Sequence, residues 1–102
     1  MARLIEFSAR STKQLQKMIL SFYDERNGND DYSRRLMRNL MDDLQLMAKM
    51  PLASSPSTRP DVRFFYLMGF TIIFRFNTKK LTVLSIRSSR RKPLRVYRKK
   101  GS

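Results

Sequence analysis

At 102 residues with 41% hydrophobic content, and with Phe, Tyr, Met, Leu and Ile grouped in periodic segments, the chain is expected to form one domain, residues 1–102, around a small core. A formal charge of +14 favours an anionic partner, and charge alone does not choose between nucleic acid, an acidic protein and an anionic membrane surface. The sequence has no cysteine and no histidine, which excludes a disulfide framework and zinc–thiolate chemistry and removes the common metal ligands.

The N-terminus, Met1-Ala2-Arg3-Leu4-Ile5-Glu6, lacks the apolar region of a signal peptide, so a cytoplasmic protein is expected. Arg3 to Phe7 alternates polar with apolar residues and reads as a short strand, with Ser8 as a cap for a helix. In that helix Leu15, Met18, Ile19, Phe22 and Tyr23 recur at helical spacing, with Lys13 and Lys17 on the charged side, and Asn27-Gly28-Asn29 ends it. Asp30 or Asp31 can cap a second helix, whose apolar stripe is Leu36, Leu40, Met41, Leu44 and Met47 and whose stop is Pro51. The pair forms a helical hairpin.

Residues 51–60, rich in Ser and Pro, read as a loop. Three strands come next, over 62–68, 70–76 and 81–86, with turns at Gly69 and at Asn77-Thr78-Lys79-Lys80. The run from Phe64 to Phe74 is too short for a membrane span of about 20 residues, and Gly69 divides it, so no membrane association is expected. The element order implies an α+β fold in which a short N-terminal strand and a helical hairpin precede a three-stranded antiparallel meander. The sheet is expected to be antiparallel, with the helices on one face and the other face open. Two registers are compatible with the first hairpin: a two-residue turn sets Arg63 opposite Phe74, and a three-residue turn with a bulge sets it opposite Arg75.

After the last strand the chain becomes strongly basic. Ser85 to Lys100 carries eight cations and no acid, ending in a basic tail over 94–102. The sequence contains no phosphate-binding glycine loop and no carboxylate cluster at metal-site spacing, which argues against nucleotide hydrolases, dinucleotide-dependent enzymes and metallohydrolases. No cofactor is expected. Arginine forks bind phosphate oxygens, so Arg90 and Arg91 suit stabilisation of a phosphoryl transition state, and Tyr97 suits proton transfer if neighbouring cations lower its pKa. Arg63, Arg75, Arg87, Lys92 and Arg95 are the candidate contacts to a nucleic acid or another target. The alternatives are a solvated tail for Arg98-Lys99-Lys100, packing or simple exposure for Tyr97, and sheet packing in place of base stacking for Phe64 and Tyr66.

Leu4-Ile5-Glu6-Phe7-Ser8, the two helices, Met50-Pro51, Gly69 to Arg75, and Ser88-Ser89-Arg90-Arg91-Lys92-Pro93 occur in an order that resembles the RelE/ParE superfamily of toxins from bacterial toxin–antitoxin pairs. Arg90 and Pro93 match the closing motif of one branch. The resemblance implies an acidic antitoxin as partner and inhibition of translation by ribosome-associated, metal-independent cleavage of mRNA. A second branch implies a non-enzymatic inhibitor of DNA gyrase, and without the resemblance the chain reads as a small basic nucleic-acid-binding domain. Thr71 departs from the mRNA-cleaving pattern, in which an arginine follows the aromatic after the central glycine.

Overall fold

The computed structural model describes residues 3–25 and 31–88, with the side chains of 21–25 excepted. Strand β1 (Leu4–Phe7) leads into helix α1 (Ala9–Glu25); helix α2 (Asp31–Lys49) comes next, then a 3-10 turn (Pro51–Ala53) and strands β2 (Ser55–Pro56), β3 (Val62–Leu67), β4 (Phe70–Phe76) and β5 (Lys80–Ser88). The fold is α+β, with both helices on one face of a sheet ordered β1-β5-β4-β3-β2. The expectation of an all-antiparallel sheet is corrected by β1, which pairs parallel with β5 through Ile5 and Leu81. In that position Ile5 and Phe7 pack against the core while Leu4 and Glu6 face outward.

Helix α1 starts where Ser8 caps it: the Ser11 amide donates to Ser8 Oγ at 3.1 Å, satisfying an amide that the first helical turn leaves free. Ser8 Oγ also donates to the carbonyl of Leu84, so the cap is tied to the last strand. In α2, Leu36, Leu40, Leu44 and Met47 are buried as their spacing implies, and Asp31 supplies negative charge to the first turn. Met41 is only partly buried. The expected turn at Asn27-Gly28-Asn29 and the side chains of Phe22 and Tyr23 lie outside the described residues.

The core joins Met18 and the α2 stripe to Phe65, Leu67, Ile72, Phe74, Leu81, Val83 and Ile86. Phe74 is fully buried at its centre and meets Phe65 and Phe76 at ring-centroid distances of 6.2 and 6.3 Å. The β3–β4 hairpin takes the two-residue turn, with Arg63 opposite Phe74 and Val62 opposite Arg75. Met68 (φ 50°) and Gly69 (φ 87°) both have positive φ, as a primed turn requires, so β3 ends at Leu67. The 51–60 segment is not wholly loop, because Ser55 and Pro56 pair with Phe64 and Arg63 as an edge strand.

One irregularity decides which face the end of β5 presents. Ile73 pairs with Ser85 and Phe74 with Val83, leaving Leu84 as an extra, unpaired residue. Strict alternation from Leu81 and Val83 would carry Ser85 and Arg87 to the helix side. The bulge resets the alternation, so Ile86 is buried and Arg87 emerges on the open face. Replacing Ser8 by alanine removes the helix cap and the tie to Leu84 together. Urea unfolding of Ser8→Ala is expected to show about 1–2 kcal/mol lost, with the slope against denaturant unchanged.

Candidate functional site on the open sheet face

The face away from the helices carries Val62, Phe64 and Tyr66 on β3, Thr71, Ile73 and Arg75 on β4, and Thr82 and Arg87 on β5. Its centre is apolar. Phe64 and Tyr66 meet edge to face at 5.6 Å, and Tyr66 is 67% exposed, so its ring is largely open to solvent.

Pairing aligns Tyr66, Thr71 and Arg87 in one row across β3, β4 and β5. Cross-strand neighbours of this kind lie about 5 Å apart at Cβ. The row therefore sets an exposed phenol ring, a hydroxyl and a guanidinium side by side, with Arg87 directly across from Thr71. Arg87 is exposed and has no hydrogen-bond or ion-pair partner among the described residues. Its charge is thus available to an anion at the end of the strand from which the chain runs on to Arg90 and Arg91.

The other end of the face is electrostatically mixed. Glu6, Thr82, Arg75 and Val62 form a parallel row there. A polar cleft of about 490 Å³ is lined by Glu6, Asp61, Arg75, Phe76, Asn77, Lys80 and Thr82. Lys80 Nζ lies 3.4 Å from Glu6 Oε1, and Arg59 Nε lies 3.4 Å from Asp61 Oδ1. Both pairs are exposed, so each adds little to stability, but they balance the local charge. Arg75 is exposed in this cleft without a partner among the described residues. The two arginines of the open face, Arg75 and Arg87, are separated by four residues along the sheet, about 13 Å.

Arg63 stands apart from them. Its alternation matches Phe65 and Leu67, and its guanidinium is engaged at the edge: Nε donates to Ser54 Oγ at 3.0 Å, and Nη2 donates to the carbonyls of Ser54 and Leu52. It braces the segment that turns α2 into β2, on the opposite side of β3 from Phe64 and Tyr66. The signal was the hairpin register, which a two-residue turn would have fixed. The candidates Arg90, Arg91, Tyr97, Lys92 and Arg95, with the 94–102 tail, lie outside the described residues.

Arg3, whose sequence position gave no hint of a role, stacks on Phe76 at 5.3 Å and donates to the carbonyls of Ala48 and Asn77. It joins the end of α2 to the β4–β5 turn. Among the described residues no cluster of His, Cys, Asp or Glu could hold a metal ion, and no helix is long and apolar enough to cross a membrane.

Arg63→Ala leaves the Ser54 carbonyl and hydroxyl without their charged donor. A loss of about 1–3 kcal/mol is expected in urea unfolding, together with faster protease cleavage within 51–60.

No protein-family model and no curated protein matches the chain. Among solved structures, a chain of the chromosomal ParDE TA system from P. aeruginosa superposes with a TM-score of 0.65 at 18% identity, over 85% of this chain and 96% of that one. A chain of the E. coli DinJ-YafQ toxin-antitoxin complex aligns with a TM-score of 0.48 at 15% identity, over 95% of this chain and 99% of that one. The ParDE likeness extends over most of both chains and shows that the fold is the one implied by the resemblance to the RelE/ParE superfamily.

Proposed function

We propose that this chain is the toxin of a bacterial toxin–antitoxin pair and that it arrests translation by cutting mRNA on the ribosome. The observation that carries the reading is the Tyr66, Thr71, Arg87 row, with its exposed ring and unpartnered guanidinium on a fold shared with a chain of a TA system. Aromatic rings accept bases by stacking, and arginine forks bind phosphate, so a row of this composition suits a single RNA strand. Arg87 supplies from β5 the cation that mRNA-cleaving relatives have at the position of Thr71.

In the cleavage, the 2′-hydroxyl oxygen attacks the neighbouring phosphorus as its proton passes to solvent water. The bond from phosphorus to the 5′-oxygen breaks, and that oxygen receives a proton. The extra negative charge on the phosphoryl oxygens is held by Arg87, Arg90 and Arg91, while Tyr97 transfers a proton. Arg75, Lys92 and Arg95 hold flanking phosphates. An acidic antitoxin segment covers the same face and neutralises its cations.

A second reading, non-enzymatic inhibition of DNA gyrase, is favoured by the lack of a carboxylate in the Arg87 row. Glu6 and Asp61 line the opposite end of the face.

Induced expression in a bacterial host separates the readings. Wild-type protein is expected to stop amino-acid incorporation and to yield cut mRNA by primer extension. Arg87→Ala, and the pair Arg90→Ala with Arg91→Ala, should each lower cleavage by about 100-fold or more. DNA breaks and filamentation with intact mRNA would replace the nuclease reading by gyrase inhibition. Harmless expression would overturn the toxin reading and leave a basic nucleic-acid-binding domain.

A further inference from the structure

Helix α1 presents three exposed cations on one side: Arg10, Lys13 and Lys17. Their spacings of three, four and seven residues make them neighbours along the helix. None has a hydrogen-bond or ion-pair partner among the described residues. With Ala9 and Gln14 they line a shallow groove of about 380 Å³.

The arrangement is unfavourable for the helix taken alone. Arg10 is the second residue of α1, near the positive end of the helix dipole, and the first turn contains no acid. Lys13 and Lys17 form a like-charge pair at a spacing where opposite charges would stabilise. An anionic polymer lying along the groove relieves both conflicts.

The position of the stripe identifies the polymer. Gln14 lies on the same side of α1, and its Oε1 accepts the Ile86 amide at 2.7 Å and the Ser85 hydroxyl at 3.3 Å. Those contacts fix α1 against the β5 edge within one residue of Arg87. The basic groove therefore adjoins the Arg87 end of the open face, with only the β5 edge between them.

We infer that Arg10, Lys13 and Lys17 bind the phosphate backbone of the RNA strand flanking the segment seated on Tyr66, Thr71 and Arg87. The inference rests on the reading in which that row takes RNA. The bound strand passes from the open face around the β5 edge and onto α1. Gln14 is a positioning residue, because it holds the helix to the strand without meeting the phosphates.

The test uses the intact chain and 2′-O-methyl RNA, which cannot be cut by its own 2′-oxygen, in lengths of about 20 and about four nucleotides. The variant Arg10→Gln/Lys13→Gln/Lys17→Gln is expected to bind the long RNA with a slope of log affinity against log salt that is shallower by about 2. Its affinity for the short RNA should remain within about twofold. The charge-preserving variant Lys13→Arg/Lys17→Arg should bind both lengths like the wild type, and equal thermal unfolding of all variants confirms the fold.

An unchanged slope with the long RNA, or equal losses with both lengths, overturns the inference. The underlying reading has its own control in Arg87→Ala, which should weaken both RNAs. If Arg87→Ala changes neither while the triple variant weakens the long RNA, the row does not bind RNA, and the flanking path to it fails as well.

Discussion

The unpaired residue Leu84 is the constraint on which the open face depends. By inserting one position into β5, it lets Leu81 and Val83 point into the core on one side of the bulge and Ile86 on the other. Arg87 then faces away from the helices. The bulge is held from the N-terminal part of the chain: Ser8 Oγ donates to the Leu84 carbonyl, Ser11 Oγ donates to the Val83 carbonyl at 2.9 Å, and Gln14 receives the Ile86 amide. The Leu84 carbonyl and the Ile86 amide lie beyond the pairing of β1, which ends at Phe7 and Val83, and these contacts satisfy them. The start of α1 thus replaces a strand along this edge and closes it against further pairing.

Most of the elements were legible because their physics is local. The α2 stripe, the Ser8 cap and the β4 strand depend on short-range spacing and appear with the expected residues. The features not legible in the sequence depend on distant partners. Parallel pairing of β1 with β5 joins residues more than seventy positions apart, and nothing in Leu4–Phe7 encodes its direction. Ser55 and Pro56 have little strand preference, and their pairing is supported by Arg63 from β3. The bulge did leave a trace, because the buried apolar positions in β5 step from Val83 to Ile86, a spacing of three where an uninterrupted strand repeats at two.

The candidate site was legible in its charge and not in its geometry. Arg75 and Arg87, both candidates by sequence, lie on the open face, whereas Arg63 is engaged with the Ser54 edge. Composition could not divide the cations in this way, since the division is set by hairpin register and by the bulge. The same holds for Tyr66, whose exposure arises from its alternation with buried Phe65 and Leu67. An aromatic-rich strand looks the same in sequence whether both of its faces are buried or one is open.

Charge is also unevenly distributed along the face. At the β1 end, Glu6 and Asp61 offset Lys80 and Arg59, which leaves Arg75 as the cation of that cleft without a partner among the described residues. At the Arg87 end no described carboxylate shares the row, and Arg10, Lys13 and Lys17 lie just around the β5 edge. Screening confines each charge to about 8–10 Å at physiological salt, so this local imbalance matters more to docking than the net +14. Under the proposed function, that gradient would orient a flexible anionic strand before any specific contact forms. It would draw the strand toward the end where an exposed ring and an unpartnered guanidinium share one row, and an acidic protein segment competing for the face would be drawn to the same end.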